Sequence, residues 1–365
     1  MSIFQKIKLS MITATEINKP KAIIVKKELR SFQRGSDVRA TIDALKKGEY
    51  ILIPEFYSDG LTLLEEVQKD INLRLRNSSF KEQHSYRAEY QKLSNLVLLE
   101  IVDQELNVKK SPSIGWLEKF YPEHDSFLLT FPQIQGMNSA WQWHDKGVSL
   151  PVLRNKLKPY YGTYFPTRFE HLVLFENFLN FYKGKKKTAI DVGVGCGVLS
   201  LQMINHKFQK VFATDINPNA IFGLQEYMGS TKLSRKIELD CASLFGKWEI
   251  QTELIVFNPP WLPETRELEN IDQAIYYNDS LFEDFFTEAK KRLLPEGQIV
   301  LIFSNLAQIT KMSKEHPIEL ELAKGNRFQL ESCFKKQVKS ASSKTKRDQH
   351  WRDLEEVELW VLKHI

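Results

Sequence analysis

The sequence predicts an α/β fold: a seven-stranded, mostly parallel sheet closed by a C-terminal antiparallel hairpin, with a separate N-terminal α/β or α+β domain before it. Three observations predict it. From about residue 155, short apolar runs alternate with helical patterns, as in a doubly wound sheet with ligands at the carboxyl ends of its strands. The first run carries Asp191 and leads into Gly193-Val194-Gly195-Cys196-Gly197, and the second ends in Asp215. The length, 365 residues, favours two domains over one.

Taken in order, residues 1–35 are lysine-rich and without a period, and are expected to be a loosely ordered basic lead-in. Residues 36–154 form the predicted accessory or substrate-recognition domain. Val38, Ile42 and Leu45 have helical spacing, Tyr50–Pro54 is a short strand, and Leu63, Leu64, Val67 and Ile71 mark a second helix. A further helical stretch is expected around Leu93–Leu99. From Ser111 to Trp143 prolines and aromatics predict an irregular, aromatic-packed segment. His144-Asp145 lacks the one-residue gap of a facial ligand pair, and no metal site is expected.

Residues 155–365 form the third segment. A helix is expected over 171–181, and the strand Thr188–Val192 precedes the glycine loop and the helix Val198–Asn205. Glycines allow a sharp turn and close approach to a ligand. The spacing is GxGxG, not the GxGxxG of a pyrophosphate site, so the loop better suits a ligand without phosphates. Asp191 then faces a cation. Lys210–Asp215 is the second strand, and Asp215 is placed to accept two hydrogen bonds from a ribose diol. Asn217-Pro218-Asn219 opens the next helix. The third strand, Ile237–Leu239, leads to Ser243, and Leu254–Phe257 is the fourth. A helix over 280–294, a fifth strand at Gln298–Phe303, and the pair Phe328–Phe334 and Val357–Leu362 complete the sheet.

The fourth strand stops at Asn258-Pro259-Pro260-Trp261. Two prolines forbid further ladder pairing and stiffen the backbone. An amide oxygen and a rigid carbonyl can accept both hydrogens of a planar NH2 group, and an indole can pack on its plane. The plain alternative is a proline-terminated strand and turn.

Bulk properties narrow the class. A hydrophobic content of 42% and a charged content of 27% are those of an ordinary globular protein. No apolar run approaches the roughly 20 residues of a membrane span, and the N-terminus lacks a signal-peptide core. Three distant cysteines, Cys196, Cys241 and Cys333, suit a reducing compartment, so a cytoplasmic location and no membrane partner are expected. The net charge of +5 permits a nucleic-acid partner without requiring one. Lys335–Arg352 is a basic stretch between the last two strands, balanced between a solvated hairpin tip and a phosphate-binding element.

Over residues 155–365 the chain resembles the class I S-adenosylmethionine-dependent methyltransferases, with their Rossmann-like sheet. The resemblance rests on Asp191-x-Gly193-x-Gly195-x-Gly197, on Asp215, on Asn258-Pro259-Pro260-Trp261 and on the terminal hairpin. The third signal is similar to the [N/D]PP[Y/F/W] motif of N-methyltransferases acting on planar nitrogens, in the glutamine-N5 and the adenine-N6 or guanine-N2 branches. Phe165-Pro166-Thr167-Arg168 looks like the lead-in of the glutamine branch and of the small-domain RNA group, and the wider pattern like a bacterial small-methyltransferase group. The resemblance implies S-adenosylmethionine as cofactor. It places Asp191, Gly193, Gly195 and Gly197 at its methionine part, Asp215 and Ile216 at its ribose and adenine side, and Asp240 or Ser243 at the adenine amine, where the family usually has an acid. It gives Asn258, Pro259, Pro260 and Trp261 the catalytic end, with Asn258 also beside the cofactor. Phe165, Thr167, Arg168 and Trp261 are the expected substrate contacts.

The implied activity is methyl transfer to a planar NH2, first on an RNA or DNA base and alternatively on a protein glutamine. A reading of another class is a cofactor-binding or interaction protein without turnover. An NAD(P) dehydrogenase is disfavoured by the GxGxG spacing.

Overall fold

The computed structural model describes residues 17–25, 28–74, 80–229, 231–264, 275–339 and 354–365, the side chains of residues 74 and 80–85 excepted. Of the expected basic stretch 335–352, residues 340–352 lie outside the described residues, as do residues 1–16, Lys26 and Lys27 of the lead-in, whereas Lys335 is described and pairs with Glu358 at 2.7 Å. The chain divides into two units, Lys19–Asp145 and Lys146–Ile365 with Met1–Asn18.

The first unit carries β1 (Arg30–Ser31), α1 (Val38–Lys46), β2 (Ile51–Leu52), α2 (Tyr57–Arg74), α3 (Phe80–Ser94), β3 (Val97–Val102), β4 (Glu105–Leu106), α4 (Trp116–Phe120), β5 (Ser126–Thr130) and α5 (Phe131–Lys146). Its sheet runs β1-β2-β3-β4, with β5 also on β3. Asp37 caps α1 by accepting the Ala40 N–H at 3.0 Å.

Two expectations are corrected in this unit. The stretch Leu93–Leu99 changes element at Asn95. Val97, Leu98, Leu99 and Ile101 are fully buried, and a run apolar on successive residues suits a strand covered on both faces. The segment 111–143 is not irregular throughout. Thr130 and Gln133 cap α5 reciprocally: the Thr130 N–H donates to Gln133 Oε1 at 3.1 Å, and the Gln133 N–H donates to Thr130 Oγ1 at 3.4 Å. That is a capping box, with Pro132 in the first turn.

The second unit contains α6 (Glu170–Phe181), β6 (Thr188–Val192), α7 (Val198–Asn205), β7 (Lys210–Asp215), α8 (Pro218–Gly229), β8 (Ile237–Cys241), β9 (Thr252–Phe257), β10 (Leu262–Pro263), β11 (Tyr276–Tyr277), α9 (Leu281–Arg292), β12 (Leu293–Ser304), α10 (Leu306–Ile309), α11 (Pro317–Lys324), β13 (Phe328–Gln337) and β14 (Glu356–His364). Seven of these nine strands build the expected sheet in the order β13-β14-β12-β9-β6-β7-β8, and β10 and β11 pair with each other. The pairings β12–β9, β9–β6, β6–β7 and β7–β8 are parallel, and β14 is antiparallel to both its neighbours.

Strand alternation splits the core into two layers. Ala189, Leu254, Val256 and Val300 pack with Phe175, Leu201 and Leu224 of α6, α7 and α8. Ile190, Ile255, Phe257 and Leu301 pack with Phe285, Phe286 and Ile318 of α9 and α11. Helices therefore cover both faces, which explains why these strands read as continuous apolar runs. It also leaves the carboxyl ends of β6, β7, β8 and β9 as the open edge. No helix among the described residues is long and apolar enough to cross a membrane.

Candidate active site

A cleft of about 650 Å³ opens at that edge. It is lined by the loops after β6, β7, β8 and β9 and by Gly162, Thr163, Tyr164 and Pro166.

The glycine loop owes its shape to left-handed backbone. Gly193, Gly195 and Gly197 have φ of +68°, +52° and +86°, where a side chain is strained. At Gly197 an added Cβ would also meet Leu224 at 2.7 Å. The second strand braces the loop: the Val194 N–H donates to Thr214 O at 2.8 Å, and the Gly195 N–H donates to Asp215 Oδ2 at 2.7 Å. Asp215 Oδ1 accepts the Asn217 N–H at 2.8 Å. Asp215 thus ties two loops together while lining the cleft, and burial raises its carboxyl above the usual range.

Asp191 sits behind the loop, fully buried, and does not line the cleft. Its Oδ2 accepts the Ser200 hydroxyl at 2.6 Å. Its Oδ1 is buried without a hydrogen-bond partner among the described residues. Burial, helped by the charge of Asp215, pushes its pKa up to about 7. An unsatisfied buried carboxyl oxygen behind the glycine turn is a group that a cationic ligand held by the loop would favour.

At the second loop, Ile216 is 58% exposed and lines the cleft together with Ala242, Ser243 and Leu244. Ile216 and Leu244 offer the apolar surfaces that a flat ring needs. Leu244, held at φ +50°, was not foreseen. Asp240 departs from expectation: it does not line the cleft. Its Oδ2 accepts the Lys247 N–H at 3.0 Å, and its Oδ1 pairs with Lys247 Nζ at 3.2 Å. The tight turn through Gly246, at φ +50°, brings Lys247 back over it. Ser243 remains the polar side chain at this end.

At the fourth strand, Asn258 and Pro260 line the cleft, and Pro259 is buried beside them. Trp261 is not among the lining residues. Its ring packs against both core layers, and its Nε1–H donates to Asn258 Oδ1 at 3.1 Å. The expected stacking surface is thus a group that fixes the amide. His171, not singled out from the sequence, lines the cleft and meets the Trp261 ring edge-on, with ring centroids 6.0 Å apart. Burial holds its pKa down at about 4, so the imidazole is neutral.

The expected substrate contacts Phe165, Thr167 and Arg168 do not line the cleft. Phe165 packs on the core and Thr167 faces solvent. Arg168 Nη1 donates to Glu355 Oε2 at 2.7 Å. Glu355 is almost wholly buried, and a buried carboxylate requires such a partner. The side chains that do reach the cleft are Thr163, Tyr164 and Pro166. Asn217 Nδ2 donates to Gly162 O and Asn219 Nδ2 to Tyr161 O, each at 2.8 Å, which pins this segment above the glycine loop. Thr163 is 8% exposed, and its Oγ1 has no partner among the described residues. The Asn217-Pro218-Asn219 run both opens α8 and supplies these two amide donors. Among the described residues no group of three or more His, Cys, Asp or Glu gathers to hold a metal.

Residues 172–331 match the family described as methyltransferase small domain. A tRNA1(Val) (adenine(37)-N6)-methyltransferase of Shewanella halifaxensis is 30% identical over 122 residues, 32% of this chain and 50% of that protein. The match therefore spans half the length of that relative. A Methanocaldococcus jannaschii protein named for N5-glutamine methylation of protein is 28% identical over 159 residues, 41% of this chain and 77% of that one. The solved structure of a ribosomal protein L11 methylase from Lactobacillus delbrueckii subsp. bulgaricus aligns at 20% identity over 59% of this chain and 91% of that one, with a TM-score of 0.38.

Proposed function

Residues 172–331 belong to the methyltransferase small-domain family of class I, S-adenosylmethionine-dependent enzymes, and on that premise we propose that this chain methylates a planar NH2 nitrogen, first among candidates an exocyclic amine of an RNA or DNA base. The observation that carries the reading is the gathering of the glycine loop, Asp215, Ile216, Leu244, Ser243 and Asn258 around one cleft. The partnerless Asp191 Oδ1 supports a cationic ligand behind the loop. Asp215 offers its remaining lone pairs to a diol. S-adenosylmethionine, when bound, supplies an electrophilic methyl group on a sulfonium.

The residues of the chain have a modest chemical task, since a neutral amine needs no base to become a nucleophile. Asn258 Oδ1 has two acceptor sites. Trp261 takes one, and the other is left for an N–H of the substrate. The Pro259 carbonyl supplies the second acceptor. Holding both hydrogens directs the nitrogen lone pair and favours the positive charge that develops on nitrogen, and one of the two N–H protons is then lost to solvent to give the neutral N-methyl product. Alignment of this kind is worth roughly 7–11 kcal/mol. Neutral His171 beside Trp261 adds no charge that would repel that cation. A protein glutamine is the second reading, favoured by the 28% identical relative named for that activity.

Calorimetry with S-adenosylhomocysteine and the full chain tests the cofactor. Binding that Asp215→Ala weakens supports the reading, and no binding to the wild type overturns it. Mass spectrometry of nucleosides and tryptic peptides from cells with and without the protein separates base from glutamine.

A further inference from the structure

At the amino ends of β6, β7 and β8, the sheet edge opposite the cleft, three loops from distant parts of the sequence are joined by backbone hydrogen bonds. The Gln209 N–H donates to Lys186 O at 2.9 Å, the Lys210 N–H to Lys187 O at 3.0 Å, and the Val211 N–H to Lys236 O at 2.8 Å. Lys185, Lys187, Lys207, Lys232, Arg235 and Lys236 all stand at the surface along this edge, and none is paired with a carboxylate among the described residues. Within residues 183–188, 205–211 and 231–238 the only acid is Glu238, and it is committed to Lys210 at 2.6 Å. These segments hold a larger positive surplus than the +5 of the whole chain. Neighbouring strands lie about 4.8 Å apart, so the cations form a band and not isolated points.

A lysine-rich loop by itself is a solvated turn. Here three loops converge with one acid of their own, and the two carboxylates that reach them from other elements are committed elsewhere than to these cations, Glu253 to Thr188 and Glu176 to His206 and Gln202, although acids and bases nearly balance over the chain. Like charges brought together repel, and the arrangement is relieved when a polyanion neutralises them. The strands of five or six residues separate this band from the cleft by roughly 17–20 Å, at about 3.3 Å per residue. A ligand reaching both is therefore large, not a nucleotide or a short peptide.

We propose that this edge is a docking surface for the phosphate backbone of a folded RNA, remote from the segment whose amine enters the cleft. The inference rests on the nucleic-acid reading of the substrate and deepens it. The test uses the full chain, with bulk tRNA as probe, titrated between about 50 and 200 mM salt. The variant K187Q/K207Q/K236Q removes one cation from each loop. The variant K311Q/K314Q/K363Q removes the same net charge from surface sites elsewhere. The first variant is expected to lose tRNA affinity by at least about tenfold, with a salt slope shallower by about 2, at roughly 0.7 for each phosphate no longer neutralised. The second variant is expected to stay within about twofold of wild type. Equal losses in both, or no loss in the first, overturn the proposal. So does wild type that binds vesicles of phosphatidylcholine and phosphatidylserine but not tRNA. S-adenosylhomocysteine affinity, measured in parallel, is expected to be the same in all three proteins. Its absence in wild type defeats the methyltransferase reading without deciding whether this edge docks RNA.

Discussion

Trp261 Nε1–H donates to Asn258 Oδ1 at 3.1 Å, across a turn stiffened by two prolines. That bond fixes which way the amide of Asn258 faces and leaves one acceptor site of its oxygen for a substrate. Trp261→Phe keeps an aromatic ring and removes only the N–H. Expected is a fall in kcat of about tenfold with little change in KM, the size of one neutral hydrogen bond. Asn258→Ala is expected to lose at least about a hundredfold in kcat with unchanged S-adenosylhomocysteine affinity. Full activity in Asn258→Ala would remove the amide from the mechanism.

Thr163 presents a buried hydroxyl without a partner among the described residues, beside the glycine loop. Thr163→Val preserves shape and removes that donor. A hydrogen bond to a charged group contributes about 1.5–3 kcal/mol, so S-adenosylhomocysteine affinity should fall at least about tenfold. Methylthioadenosine, which lacks the amino-acid part, should bind as before, and calorimetry with both ligands distinguishes a local contact from a damaged fold.

Asp191 sets a pH dependence. Its folded pKa, about 7, lies above that of an unfolded aspartate. The folded state therefore holds the extra proton between about pH 4 and pH 7, and this group's contribution to stability falls as pH rises through that window. Asp191→Asn does not titrate. Its stability relative to wild type should rise by about 2 kcal/mol from pH 5 to pH 7 and level off above, as followed by chemical unfolding across pH. A flat difference would show that the carboxyl is not held protonated.

Arg168 faces the buried Glu355 and not the cleft. Arg168→Ala should lower stability by about 1–2 kcal/mol, allowing for the partial exposure of Arg168. S-adenosylhomocysteine affinity should stay within about twofold. A large loss of affinity with unchanged stability would return Arg168 to the ligand.

The fold of residues 155–365 was legible because each strand carries its own local signal: an apolar run, a helix after it, and Gly or Asp where the chain turns. The cofactor side of the site was legible for the same reason. Gly193, Gly195, Gly197, Asp215 and Asn258-Pro259-Pro260 are short-range patterns whose chemistry follows from spacing. In the first unit, the apolar stretch 93–99 carried no such distinction, because burial on both faces erases the difference between strand and helix periods.

The sequence by itself determined a parallel sheet with a glycine loop and two acids at its carboxyl ends, and a stiff Asn-Pro-Pro stop on the fourth strand. Only the tertiary structure decided what each side chain faces. It turned Trp261 from a stacking surface into the donor that orients Asn258, and Arg168 from a substrate contact into the partner of Glu355. It folded Asp240 into its own turn, brought His171 and Thr163 into the cleft, and assembled a cationic edge from three separate loops. The physical reason is one of range. Backbone conformation follows from neighbours in the chain, whereas the direction of a polar side chain is set by whichever donor, acceptor or charge the fold carries to it from tens or hundreds of residues away.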